Sequence, residues 1–146
     1  LGGPGMNSRL NMALREKHGY VYSVDASYHG YTDTGMFAIF FATDPKQLDR
    51  SIRVVERELT KLKEKPLGKM QLHTAKQQLK GQLAMSEENN TNLMLMMAKS
   101  MLDMDKIEPL ESIFSEIKAT TSIELCDIAN ELFEEDRMSQ LIFFPE

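Results

Sequence analysis

The run Leu10-Asn11-Met12-Ala13-Leu14-Arg15-Glu16-Lys17-His18-Gly19-Tyr20-Val21-Tyr22-Ser23-Val24 constrains this chain more than any other stretch. Met6, Leu10, Ala13 and Leu14 recur at helical spacing, so residues 7–18 are predicted to be helical. Gly19 stands where a left-handed residue ends a helix. From Tyr20 to Tyr28, aromatic and β-branched residues alternate with Val21, Ser23, Asp25 and Ser27, the period of a strand. A single glycine therefore joins helix to strand and fixes Arg15 and Tyr22 on rigid elements. Two donors held in this way suit a peptide carbonyl or a developing oxyanion. The plainer reading makes Arg15 a surface charge favoured by the helix dipole and Tyr22 an amphipathic strand residue. Periodicity alone does not choose between the two.

Past the turn Gly30-Tyr31-Thr32-Asp33-Thr34-Gly35, the run Met36–Ala42 is apolar at every position. It predicts a central strand covered on both sides and paired with the first in an antiparallel hairpin. Asp44-Pro45-Lys46-Gln47 is a helix start, with Asp44 as cap and Gln47 reaching back to it. Leu48, Ile52, Val55, Leu59 and Leu62 then supply the apolar stripe of a long helix ended by Pro66 and Gly68. Further helices are predicted over Leu72–Met85, from the cap Asn89-Asn90-Thr91 to Met104, from Pro109 through Ile117, and from the capping-box pair Thr121 and Glu124 to Phe133. Leu141–Phe144 reads as a short buried strand stopped by Pro145.

This order is not the alternation of a doubly wound sheet. It gives an α+β fold: a small antiparallel sheet, made of the hairpin and the C-terminal strand, covered on one face by helices. With so few strands, further strands are expected upstream or from another chain. The 146 residues make one domain, 1–146, and the opening Leu1-Gly2-Gly3-Pro4-Gly5 reads as the interior of a longer protein.

A net charge of −5 argues against a nucleic-acid platform, and no apolar run is long enough to cross a membrane. A soluble, cytoplasmic setting is favoured over a periplasmic or organellar one. His18, His29 and His73 show no pairing at helical spacing, and neither HExxH nor HxxEH occurs, so no metal ligand is assigned. Cys126, the only cysteine, lies among Leu125, Ile128 and Ala129 and reads as a buried inert thiol. Met94, Met96, Met97, Met101 and Met104 read as adaptable core in preference to a peptide-binding surface. Glu131, Glu134, Glu135 and Asp136 read as a solvated helix end.

Several blocks carry more than periodicity. Gly5-Met6-Asn7-Ser8-Arg9-Leu10, Leu14–Val24, Tyr31–Phe37 and Ala75–Leu83 resemble, in the same order, the insulinase, pitrilysin and mitochondrial-processing-peptidase family of zinc metallopeptidases. The resemblance covers essentially the whole chain. It implies two similar α+β halves facing each other like a clamshell, with zinc and its HxxEH motif in the N-terminal half. This chain then corresponds to most of the C-terminal half, after that half's first strands and helix. The family's arginine and tyrosine fall on Arg15 and Tyr22, as auxiliary contacts to substrate backbone and oxyanion. The implied cofactor is zinc in the parent enzyme and none in this chain. The implied partners are the N-terminal catalytic half, in the same protein or a partner subunit, and a peptide substrate; a homo-oligomer is compatible with this. The alternative functions are a non-catalytic structural or assembly subunit of the same fold, or a stand-alone peptide-binding domain.

Overall fold

A computed structural model describes residues 1–3, 5–87 and 90–144. The fold is α+β, and its described residues form two compact units, Leu1–Pro66 with Cys126–Glu146, and Leu67–Leu125. The first unit holds the helix-to-strand joint, the hairpin β1 (Val21–Gly30) and β2 (Gly35–Thr43), and helix α1 (Leu48–Glu64). The second holds α2 (Lys69–Glu87), α3 (Asn90–Met104) and α4 (Leu110–Ala119), while α5 (Ser122–Leu132) begins in it and ends in the first.

In the first unit, Leu10 and Leu14 are fully buried against Val21, Val24, Val54, Val55, Leu59, Ala129 and Phe133. Each such side chain removed from water contributes roughly 1.5–3 kcal/mol, which makes this cluster the anchor of the joint. The core face of α1 is rotated from the predicted stripe: Ser51, Val54, Val55, Glu58 and Leu59 are buried, whereas Leu48 and Ile52 are half-buried. Two polar groups can enter because each is satisfied. Ser51 Oγ donates to the Gln47 carbonyl at 2.9 Å, and the Glu58 carboxylate accepts from Lys61 Nζ and lies 3.8 Å from Arg9 Nε.

Three further elements differ from the sequence expectation. The helix before Gly19 is not α throughout: Asn11–Glu16 form a π-helix, with Lys17 N–H donating to the Met12 carbonyl at 3.0 Å. The second strand is covered on one side only among the described residues. Phe37, Ile39 and Phe41 pack on the core, and Phe40, on the opposite face, is 63% exposed. The C-terminal strand is also absent among the described residues. The sheet has the two strands β1 and β2, and Leu141 and Phe143 are 80% and 85% exposed. An apolar run becomes a strand only by pairing with an edge, and 141–144 pairs with none there.

One edge of β1 is approached by residues 1–3, since Ala26 N–H donates to the Gly2 carbonyl at 3.0 Å. The approach requires glycine, because a Cβ on Gly2 would lie 2.6 Å from the Ala26 Cβ.

In the second unit α2 packs with α3 and α4. Lys76 Nζ donates to the Lys118 carbonyl at 2.7 Å, and Lys80 Nζ lies 4.8 Å from the Phe114 ring centroid. The capping box forms as predicted: Thr121 N–H donates to Glu124 Oε2 at 2.6 Å and Glu124 N–H to Thr121 Oγ1 at 3.2 Å. The methionines of α3 are not core here, since Met94, Met97, Met101 and Met104 are all exposed. The cap predicted at Asn89-Asn90-Thr91 and the stop at Pro145 involve residues outside those described.

Candidate functional site

Gly19 adopts φ +61°, the left-handed stop the sequence requires, and its N–H donates to the Arg15 carbonyl at 2.9 Å. Arg15 therefore sits in the last turn of the π-helix, half-exposed, with Nε 3.6 Å from Glu16 Oε1. A π turn displaces the residues after it from their α-helical directions, and such turns recur at functional sites.

Tyr22 occupies a second irregularity. In the hairpin register Val21 faces Thr43 and Ser23 faces Ala42, so two steps on β1 match one on β2 and Tyr22 is the bulged residue. Strict alternation would put Val21 and Val24 on opposite faces. The bulge brings both into the core and turns Tyr22 outward, 70% exposed. The predicted alternation thus breaks at the residue of interest.

The Tyr22 hydroxyl donates to Asp44 Oδ2 at 3.1 Å. This hydrogen bond and the carboxylate charge push the phenol above its ordinary pKa, so Tyr22 stays a neutral donor. Asp44 is the residue that sequence reasoning placed elsewhere. It was expected to cap a helix, yet it makes no side-chain cap bond to the 3-10 turn Pro45–Gln47, whose closure comes from Gln47 N–H on the Asp44 carbonyl at 2.8 Å. A carboxylate before proline signals a cap, and nothing in that signal distinguishes a carboxylate turned to a distant phenol. Arg15 and Tyr22 share no hydrogen bond or ion pair among the described residues; each is held by its own acidic neighbour.

The remaining candidates are accounted for locally. His29 Nε2 lies 3.1 Å from Ser27 Oγ, and the His18 ring stacks on Tyr20 at 4.9 Å. Cys126 is half-buried, with its thiol donating to the Lys63 carbonyl at 3.1 Å. Among the described residues, no three His, Cys, Asp or Glu side chains cluster closely enough to hold a metal ion, and no helix is long and apolar enough to cross a membrane.

Comparison with known proteins places this joint. The family model of the peptidase M16 inactive domain matches residues 1–79, which include the joint, the hairpin, α1 and the start of α2. An uncharacterized zinc protease of Bacillus subtilis is 33% identical over 140 residues, covering 96% of this chain and 34% of that protein. The alpha subunit of the mitochondrial-processing peptidase of Rattus norvegicus is 32% identical over 90 residues, covering 60% of this chain and 17% of that subunit. The solved peptidase M16 inactive domain from Pseudomonas fluorescens shares the fold at a TM-score of 0.81 and 21% identity, covering 94% of this chain and 32% of that one. The chain spans about a third of the length of the curated bacterial relatives it matches. The chain belongs to the M16 peptidase family, as a C-terminal domain of the inactive type.

Proposed function

We propose that this chain is the non-catalytic, substrate-holding part of a zinc metalloendopeptidase, with Arg15 and Tyr22 reaching toward a peptide lodged between it and an N-terminal half. One observation carries the reading: both residues fall on backbone irregularities, a π turn and a β-bulge, that aim side chains away from the core they border. No group of His, Cys, Asp or Glu among the described residues fits zinc, the family resemblance is what puts the metal in the N-terminal half, and no step is derived through it.

Within that reading Arg15, always charged and forked, binds a backbone carbonyl of the substrate. Tyr22 passes its hydrogen bond from Asp44 to the oxyanion that forms on the scissile carbonyl. Both acceptors are anionic oxygens, so the exchange costs little, and a phenol, whose ordinary pKa is near 10, keeps its proton as it changes acceptor.

The test uses the parent protein, or this chain joined in trans by the N-terminal half. Tyr22→Phe should lower kcat about 100-fold with little change in KM, because the lost bond belongs to the transition state. An unchanged kcat would remove Tyr22 from the mechanism. A correctly assembled parent without peptidase activity would favour the structural-subunit alternative.

A further inference from the structure

A second feature of the first unit takes His18 and Tyr20 from the same joint, while neither Arg15 nor Tyr22 lines it. His18, Tyr20, Arg50, Arg53, Val54 and Arg57 line an open surface pocket of about 300 Å³. The three arginines occupy positions i, i+3 and i+7 of α1, hence one stripe of the helix. Like charges so spaced repel, and among the described residues none of the three lies within ion-pair distance of a carboxylate. Among the described residues Arg53 and Arg57 have no ion pair or hydrogen bond, and Arg50 only donates from Nη1 to the Gln47 side-chain carbonyl at 3.3 Å. This is a local concentration of positive charge in a chain of net charge −5.

The same lining carries an unsatisfied group. His18 Nε2 is buried without a hydrogen-bond partner, in a ring held 4.9 Å from Tyr20 at an interplanar angle of 13°. A buried polar atom left unpaired costs stability unless something completes it.

Geometry narrows the ligand. Arg53 and Arg57 lie one turn apart, ~6 Å along the helix axis. Alternate side chains of an extended peptide repeat on one face every ~6.6 Å. Carboxylates at such positions match the two guanidinium forks, whose planar donors favour bidentate carboxylate bonds. A single compact anion is the competing occupant, and the phosphate arm of the titration separates the two. We propose that this pocket binds an extended peptide segment with acidic side chains at alternate positions, held by Arg53 and Arg57 and closed over His18 and Tyr20. The proposal needs neither zinc nor the Arg15 and Tyr22 roles, so either can fail alone.

Calorimetric titration of the 146-residue chain with the peptide Ala-Glu-Ala-Glu-Ala-Glu-Ala, its glutamine counterpart and inorganic phosphate tests it. The glutamate peptide should bind, and its affinity should fall as salt screens the charges. The glutamine peptide should bind at least ~10-fold more weakly, and so should the glutamate peptide to the Arg53→Gln, Arg57→Gln double variant. Both substitutions are at exposed positions, circular dichroism checks the fold, and Arg137→Gln serves as the control for charge elsewhere. No binding, equal binding of the glutamine peptide, or an unaffected double variant would each overturn the proposal. Displacement of the peptide by an equal concentration of phosphate would reduce the pocket to a simple anion site. Self-association that the double variant abolishes would identify the occupant as a second copy, through its acidic run Glu131–Asp136, and would equally overturn the proposal.

Discussion

Tyr22 and Asp44, 22 positions apart in the chain, are joined by a hydrogen bond of 3.1 Å from phenol to carboxylate. The bond links the bulge of β1 to the residue that opens the turn before α1, and with the Asp44 charge it raises the pKa of the phenol.

A first prediction concerns that phenol. Its pKa lies above the ordinary tyrosine value near 10. The bond therefore supports the fold fully below the unfolded value and loses its contribution as pH rises through the raised one. Ultraviolet difference titration should show a tyrosine ionising above the ordinary value. Asp44→Asn should bring it back toward that value; an unaltered titration curve would separate Asp44 from Tyr22.

Glu124 works in the opposite sense. Hydrogen bonds from the Thr121 backbone and side chain hold its carboxyl below the usual range. The capping box is present above the unfolded pKa and is lost as pH falls through the lowered one. Thr121→Ala should cost about 1 kcal/mol at neutral pH, read by denaturant titration, and should flatten the acid limb of the stability profile.

The joint depends on Leu14. Leu14→Ala should cost ~2–5 kcal/mol, measured by the same titration, because a fully buried side chain leaves a cavity between the π-helix and α1.

Gly19 is required by its backbone. At φ +61° a Cβ meets no neighbour within 4 Å, so Gly19→Ala tests conformation alone. It should cost ~1–2 kcal/mol. A neutral result would mean that the left-handed stop is not maintained.

The sequence disclosed the joint, the hairpin and the capping box because each rests on local chemistry: Gly19 for a positive φ, Gly30 to Gly35 for the turn, Thr121 with Glu124 for reciprocal bonds. It pointed to Arg15 and Tyr22 as candidate site residues only through family resemblance. What it hid was any feature that needs counting across elements. The bulge at Tyr22 exists only relative to β2, so alternation along β1 alone gives the wrong partner for Val24. The π turn is likewise invisible in a run of good helix formers. Ser51 and Glu58 enter the core because each is satisfied there, Ser51 by the Gln47 carbonyl one turn back and Glu58 by Lys61 and the remote Arg9, which an apolar-stripe reading does not weigh.

The register of β1 and β2 has one more consequence. If Tyr22 were deleted, Val21 and Ser23 would become neighbours opposite Thr43 and Ala42, and the ladder would run unbroken to Gly30 opposite Gly35. Val21 and Val24 would then fall two steps apart and still point the same way. Tyr22 is thus a supernumerary residue, one that the pairing of the two strands tolerates and does not require.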